Sequence, residues 1–204
     1  MAKSIYECED RHGGGPGLRS RLVEVGVDLV NSEGTQALSL REIARRAGVS
    51  HGAPRRYFAT HLELLSAIAR QGYEELAQRA AEAIGDGRAS ARDQLQALAI
   101  GYLDFALSNR GMFELMVRHD LLESNHLGLR ETSLPLFGVL VELVSRVQRP
   151  TSAPPEVVAG TLWANLHGIV QLWIWGSLPL VTGADDVELL LRAALDAHLG
   201  PAAE

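Results

Sequence analysis

The chain has 204 residues, is 47% apolar and 22% charged, and carries a net charge of −6. That length suits one large domain or two small ones around a buried core, and the ordinary apolar content excludes a disordered or fibrous chain. A single cysteine, Cys8, excludes an internal disulfide. No apolar run near the N-terminus reads as a signal peptide, so the expected compartment is the cytoplasm. The net charge hides an asymmetry: residues 11–61 carry eight Arg against four acids, whereas residues 71–204 carry nine Arg against seventeen. A partner feels the local field within roughly 10 Å. A basic front on an acidic body suits an anionic partner, or simply a solvated face rich in Arg.

Residues 1–16, which include His12-Gly-Gly-Gly-Pro16, lack apolar periodicity and read as a flexible arm. Leu18, Leu22, Val25 and Leu29 then recur at helical spacing up to Asn31-Ser-Glu-Gly34. Ser39-Leu-Arg-Glu42 has the form of a capping box, followed by Leu40, Ile43, Ala44 and Ala47 on one helical face. Gly48 ends this short helix. Ser50 opens a third through about Tyr57, in which Pro54 removes the first intrahelical bond. Thr60-His-Leu-Glu63 is a second capping box, opening a long helix that Gly85-Asp-Gly87 stops. Further helices are expected over 90–108, 111–122, 127–148 with a kink at Pro135, 155–175 and 185–198. Nothing alternates convincingly with period two, so the expected fold class is all-α.

Two short helices joined by Ala47-Gly48-Val49 form the pattern of a helix-turn-helix, whose second helix lies in the major groove of DNA. From Leu18 to Leu65, through Ser39-Leu-Arg-Glu-Ile-Ala-Arg-Arg-Ala-Gly-Val-Ser-His-Gly52 and Arg56-Tyr-Phe-Ala-Thr-His-Leu-Glu-Leu-Leu65, the chain resembles the TetR (tetracycline-repressor-type) family of bacterial transcription regulators. The resemblance implies a flexible arm over 1–16, a three-helix DNA-binding domain over 17–61, and a helical ligand-binding and dimerisation domain over 62–204. It implies that Ser39 contacts phosphate, that Ser50, His51, Gly52 and Arg56 face the groove, and that Tyr57 binds phosphate. The family usually has Tyr where this chain has Arg55, and Lys where it has His61. Arg55 offers a charged phosphate contact, or a bidentate reading of guanine that discriminates by about 1–3 kcal/mol. His61, with an ordinary pKa of about 6.5, lacks the fixed charge of Lys. Tyr57 and Phe58 also suit a purely structural core role, and Arg45 and Arg46 a solvated face.

Two motifs point elsewhere. His12-Gly-Gly-Gly15 and Gly48-Val-Ser-His-Gly52 match the oxyanion-hole and nucleophile-elbow sequences of serine hydrolases, with Asp196 and His198 in the right chain order for a triad around Ser50. An elbow needs a buried strand before its Ser. Leu40 to Ala47 is helical in period, so no enzyme is expected.

Residues 157–184 hold no Asp, Glu, Lys or Arg, a stretch long enough to span a bilayer. Asn165, His167 and Gln171 interrupt it, as do Gly176 and Pro179, and a helix buried in a bundle or dimer interface is expected instead. Trp163-Ala-Asn-Leu-His-Gly168, continuing to Trp173, resembles the C-terminal domain of a TetR subgroup marked by a Trp and a His-Gly pair. Family behaviour implies a homodimer through the last two long helices and a ligand pocket in the body. Phe105, Met112, Phe113, Met116, Trp163, His167 and Gln171 are the candidate pocket residues, a set that suits a mainly apolar ligand but equally suits plain core. His119, Asp120 and His126 lack metal-ligand spacing, so neither metal nor cofactor is expected. The resulting expectation is a DNA-binding homodimer, a repressor released from a palindromic operator by a small, mainly apolar effector. A soluble all-α small-molecule-binding dimer that does not read DNA stays open as the alternative.

Overall fold

Side-chain caps set where several helices begin. The computed structural model describes residues 17–147 and 153–201; the N-terminal arm, Cys8 and the His12-Gly-Gly-Gly15 motif lie outside them. After α1 (Leu18–Glu33) and a 3-10 turn (Thr35–Ala37), Ser39 Oγ accepts the Glu42 N–H at 3.2 Å and opens α2 (Leu40–Arg46). Thr60 Oγ1 accepts the Glu63 N–H at 3.0 Å and opens α3 (His61–Ile84). Ser90 does the same for α4 (Ala91–Ser108) and Asp186 for α10 (Val187–Leu199). Each such cap satisfies an N–H that the helix itself leaves free. Between α4 and α10 run α5 (Arg110–Met116), α6 (His119–Ser124), α7 (Leu129–Val147), α8 (Pro155–Ile174) and α9 (Ser177–Thr182). No strand occurs among the described residues, and none leads into Ser50.

A single hydrophobic core runs from Leu22 to Leu199. Its small N-terminal part holds Leu22, Ile43, Phe58, Leu64 and Ile68, all fully buried, drawn from α1, α2, the turn after α2 and the first turns of α3. The rest of α3 packs on α4, α5 and α7, and α8 packs on α7 and α10. One helix therefore serves both parts. The parts also dock directly where α1 crosses α5: a Cβ at Gly111 would lie 2.1 Å from the Val30 carbonyl oxygen, an approach only glycine permits. Arg70, midway along α3, donates to the carbonyls of Leu127 and Gly128 in the corner between α6 and α7. That corner is wound tightly, with Asn125 at φ +48° and Leu127 at φ +57°, a backbone region that suits Leu poorly.

Four expectations need correction. The third helix from Ser50 is a turn followed by a single 3-10 turn, Pro54–Arg56. Pro54 has no N–H to give the Ser50 carbonyl, so Ala53 N–H takes it at 2.9 Å and the winding tightens. The helix expected over 111–122 is two helices: Arg118 adopts an extended backbone, and the Asp120 carboxylate, held by the Arg118 guanidinium, accepts the Leu121 N–H to start α6. Helix α9 follows Gly176 (φ +76°), where a break alone was expected. Helix α7, which contains Pro135 as expected, begins at Leu129 rather than 127, after a separate 3-10 turn (His126–Gly128).

Candidate nucleic-acid interface and ligand cavity

The first candidate surface is built by the turn after α2. Gly48, at φ +67°, reverses the chain, and the Val49 N–H bonds the Ala44 carbonyl at 3.0 Å. Phe58, fully buried, pins the far end of the segment, so the residues between must face outward. Ser39, Ser50, His51, Gly52, Arg55, Arg56, Tyr57 and His61 are all exposed, and Tyr57 keeps 42% of its surface. Pro54 is buried and anchors the 3-10 turn that carries both arginines. Ser39 Oγ accepts the Glu42 N–H, and the residue stays exposed.

The four arginines flanking the turn fall into two classes. Arg45 grips Glu42 through Nε at 2.9 Å, and Arg46 bonds Glu42 at 2.7 Å and also reaches Glu33 on α1. Hydrogen bonds from Arg45 and then Arg46 pull the Glu42 carboxyl down to about 2. Arg55 and Arg56 have no acidic partner among the described residues and point their charge at solvent. In the same region the Arg19 guanidinium lies 5.1 Å from the Phe58 ring centre.

The second candidate site is a cavity of about 550 Å³ in the body, inside the size range of pockets that enclose small molecules. Helices α3, α4, α7 and α8 supply most of its wall, α5 and α6 add to it, and the exposed Leu134 and Trp163 mark where it opens to solvent. Phe113, Met116 and Trp163 lie on that wall, whereas Phe105, Met112, His167 and Gln171 do not. Phe105 and Met112 are core residues with almost no exposed surface. Tyr73, Arg79, Tyr102 and Phe137 line the cavity and were not singled out by sequence. Tyr102 follows helical spacing with Phe105, but spacing alone does not say which neighbouring turn faces a void.

Behind the wall sits a polar and aromatic cluster. Tyr102 Oη and His167 Nδ1 are 2.8 Å apart, and His167 stacks on Phe113 at 5.1 Å between ring centres. Burial lowers the His167 pKa from its ordinary 6.5, favouring the neutral ring, and burial drives the Tyr102 hydroxyl well above the usual phenol value. Tyr73, pushed up to about 12 by burial, donates its hydroxyl to the Met116 carbonyl at 2.7 Å. No group of three or more metal-ligating side chains occurs among the described residues.

Exposed apolar side chains gather on the outer helices. Val157 and Leu172 of α8, Trp175 just after it, Leu180 and Val181 of α9, and Leu189 of α10 all face solvent in the protomer. Helix α8 is long and apolar enough to cross a membrane, but Ala159, Leu162, Leu166 and Val170 give it one buried face.

Residues 22–68 match the model for bacterial regulatory proteins of the tetR family, and residues 95–198 match that for the tetracyclin repressor-like C-terminal domain. The curated proteins give no match. Among solved structures, a protein of unknown function from Rhodococcus sp. RHA1 superposes with a TM-score of 0.74 at 27% identity, covering 94% of this chain and 97% of its own. The multidrug binding protein EbrR complexed with ethidium gives 0.61 at 27% identity, covering 89% and 98%. BioQ, solved with its natural double-stranded DNA operator, gives 0.65 at 19% identity, covering 89% and 97%, and shares the fold.

Proposed function

Because the chain belongs to the TetR family of bacterial transcription regulators, we propose that it is a homodimeric repressor whose operator is a palindrome and whose release signal is a small, mainly apolar molecule. The observation that carries the DNA-reading part is the division among the arginines. Arg45 and Arg46 are neutralised by Glu42 and Glu33, while Arg55 and Arg56 stand exposed without acidic partners on a segment that Pro54 and Phe58 hold rigid. Uncompensated charge on a rigid surface suits a polyanion. Ser50, His51 and Gly52 lead that segment and are assigned to base edges, with Arg55 and Arg56 beside them. Ser39, Tyr57 and His61 are assigned to phosphates.

The apolar band on α8, α9 and α10 supports pairing with a second copy, which buries it and sets two reading turns on one side of the dimer. In that reading the uncharged face of α8 meets protein rather than lipid, and the dimer works in the cytoplasm. Residues 17–61 form the reading domain and 62–204 the effector and dimer domain. The Trp163 and His167-Gly168 pair favours the TetR subgroup that this stretch resembles. The cavity supports an effector role, and EbrR provides a relative solved with ethidium. An effector releases DNA only to the extent that it binds the released conformation better.

A gel shift with DNA from upstream of the chain's own gene tests the proposal. Binding at low salt that falls steeply as salt rises supports it, since phosphate contacts release counterions. A folded dimer that fails to shift this DNA even at low salt overturns it.

A further inference from the structure

The cavity wall carries more information than its apolar character. Among the described residues, Arg79 is its one charged side chain and no carboxylate lines it. Arg79 is already engaged: Glu75, one turn earlier on α3, accepts from its guanidinium at 2.7 Å, and the guanidinium sits 5.6 Å from the Phe105 ring centre. The pair is neutral as a unit, so an anion arriving at Arg79 has to compete with Glu75. A cation finds no counter-charge at all, and the rings of Tyr102, Phe113 and Trp163 return only part of the hydration it gives up. Ions of either sign are therefore taken from water with only partial compensation.

Polar wall atoms are also committed. Tyr73 bonds the Met116 carbonyl and Tyr102 bonds His167. Ser133 of α7 has no hydrogen-bond partner among the described residues. Two glycines shape the space. Gly101 in α4 and Gly160 in α8 line the cavity inside helices, where glycine costs stability. A Cβ at Gly101 would meet nothing within 4 Å, and one at Gly160 would only reach Phe137 at 3.9 Å. No close helix crossing explains either residue. What each provides is volume.

We propose that the effector is an uncharged, largely apolar molecule with one hydrogen-bonding group for Ser133, seated over Gly101 and Gly160, and that organic cations and anions are rejected. This rests on the reading of the cavity as the effector site. Three fluorescent probes test it on the purified full chain: neutral phenylnaphthylamine, cationic ethidium and anionic anilinonaphthalene sulfonate. Phenylnaphthylamine is expected to bind about tenfold or more tightly than either ion. Gly101→Leu, and independently Gly160→Leu, should abolish that binding, with melting curves confirming that each variant is folded. Ser133→Asp should shift preference toward ethidium by placing a carboxylate on the wall.

Ethidium or the sulfonate binding as tightly as the neutral probe, and lost in Gly101→Leu, overturns the charge rule while leaving the cavity as the site. Binding of every probe that persists in both folded leucine variants shows that the cavity is not the site and overturns both readings. No measurable binding of the neutral probe overturns the proposal.

Discussion

The reading turn and the helical body solve opposite problems. Around the turn, short-range devices do the ordering: the Ser39 and Thr60 caps, the Gly48 reversal, and the Glu42 bridge between Arg45 and Arg46. Polar groups there are spent in fixing the backbone, and the few left over, Arg55 and Arg56, point outward. In the body the order comes from long-range packing of α3, α4, α7, α8 and α10, and polar groups such as Tyr102 and His167 are paired with each other beside a cavity. Rigid display of charge and enclosure of empty apolar volume thus require different sequence grammars in one chain.

Gly111 offers the sharpest way to break that division, because it is where the two regions touch. Gly111→Ala drives a Cβ against the Val30 backbone and is expected to cost about 3 kcal/mol, read as a lower urea midpoint. Gly138→Ala, on the outside of α7 with nothing within 4 Å, should instead be neutral or stabilising by about 0.5 kcal/mol. Equal effects from both would show that α1 and α5 do not dock as described.

Next in size is the division among the arginines. Arg55→Ala and Arg56→Ala should each lose about 1–3 kcal/mol of operator affinity if they read bases. A residue that touches only phosphate should instead lower the salt slope by about 1. Arg45→Ala and Arg46→Ala should change affinity little, since their charge is already matched by Glu42 and Glu33. A titration series at several salt concentrations reads both quantities.

Thr60→Ala should cost about 1 kcal/mol in thermal or chemical unfolding by orphaning the Glu63 N–H. The smallest effect belongs to His167. Burial holds its pKa below the ordinary 6.5, so the unfolded chain takes up that proton first. Its contribution is complete above about 6.5 and declines as pH falls toward the folded value. The melting temperature should fall as pH is lowered below about 6.5, and His167→Phe should flatten that fall.

The same contrast explains what the sequence disclosed. Both capping boxes and the turn at Gly48 are local, so Ser39, Thr60 and Gly48 announced the reading region and the all-α class. The 3-10 winding at Pro54 was half legible: the missing N–H was plain, but not that Ala53 would take its acceptor. In the body, residue type marked Phe105, Met112, Phe113 and Met116 as candidate pocket residues; all four are buried, yet only Phe113 and Met116 line the cavity. Whether a facing helix fills the space or stops short depends on residues such as Gly101 and Gly160, far away in the chain. The Arg118–Asp120 fork that splits the helix expected over 111–122 is likewise a local competition that apolar spacing does not register.

Helix α3 serves both parts of the core, contributing Leu64 and Ile68 to the N-terminal part and Tyr73 and Leu76 to the wall of the body cavity, with Arg70 clasping the α6–α7 corner. A helix shared in this way physically joins the two regions. Whatever factor an occupant of the body imposes on operator affinity, the operator must impose on that occupant, by thermodynamic reciprocity. On the proposed reading, the regulator seated on its operator holds its effector less tightly than the same molecule free in solution.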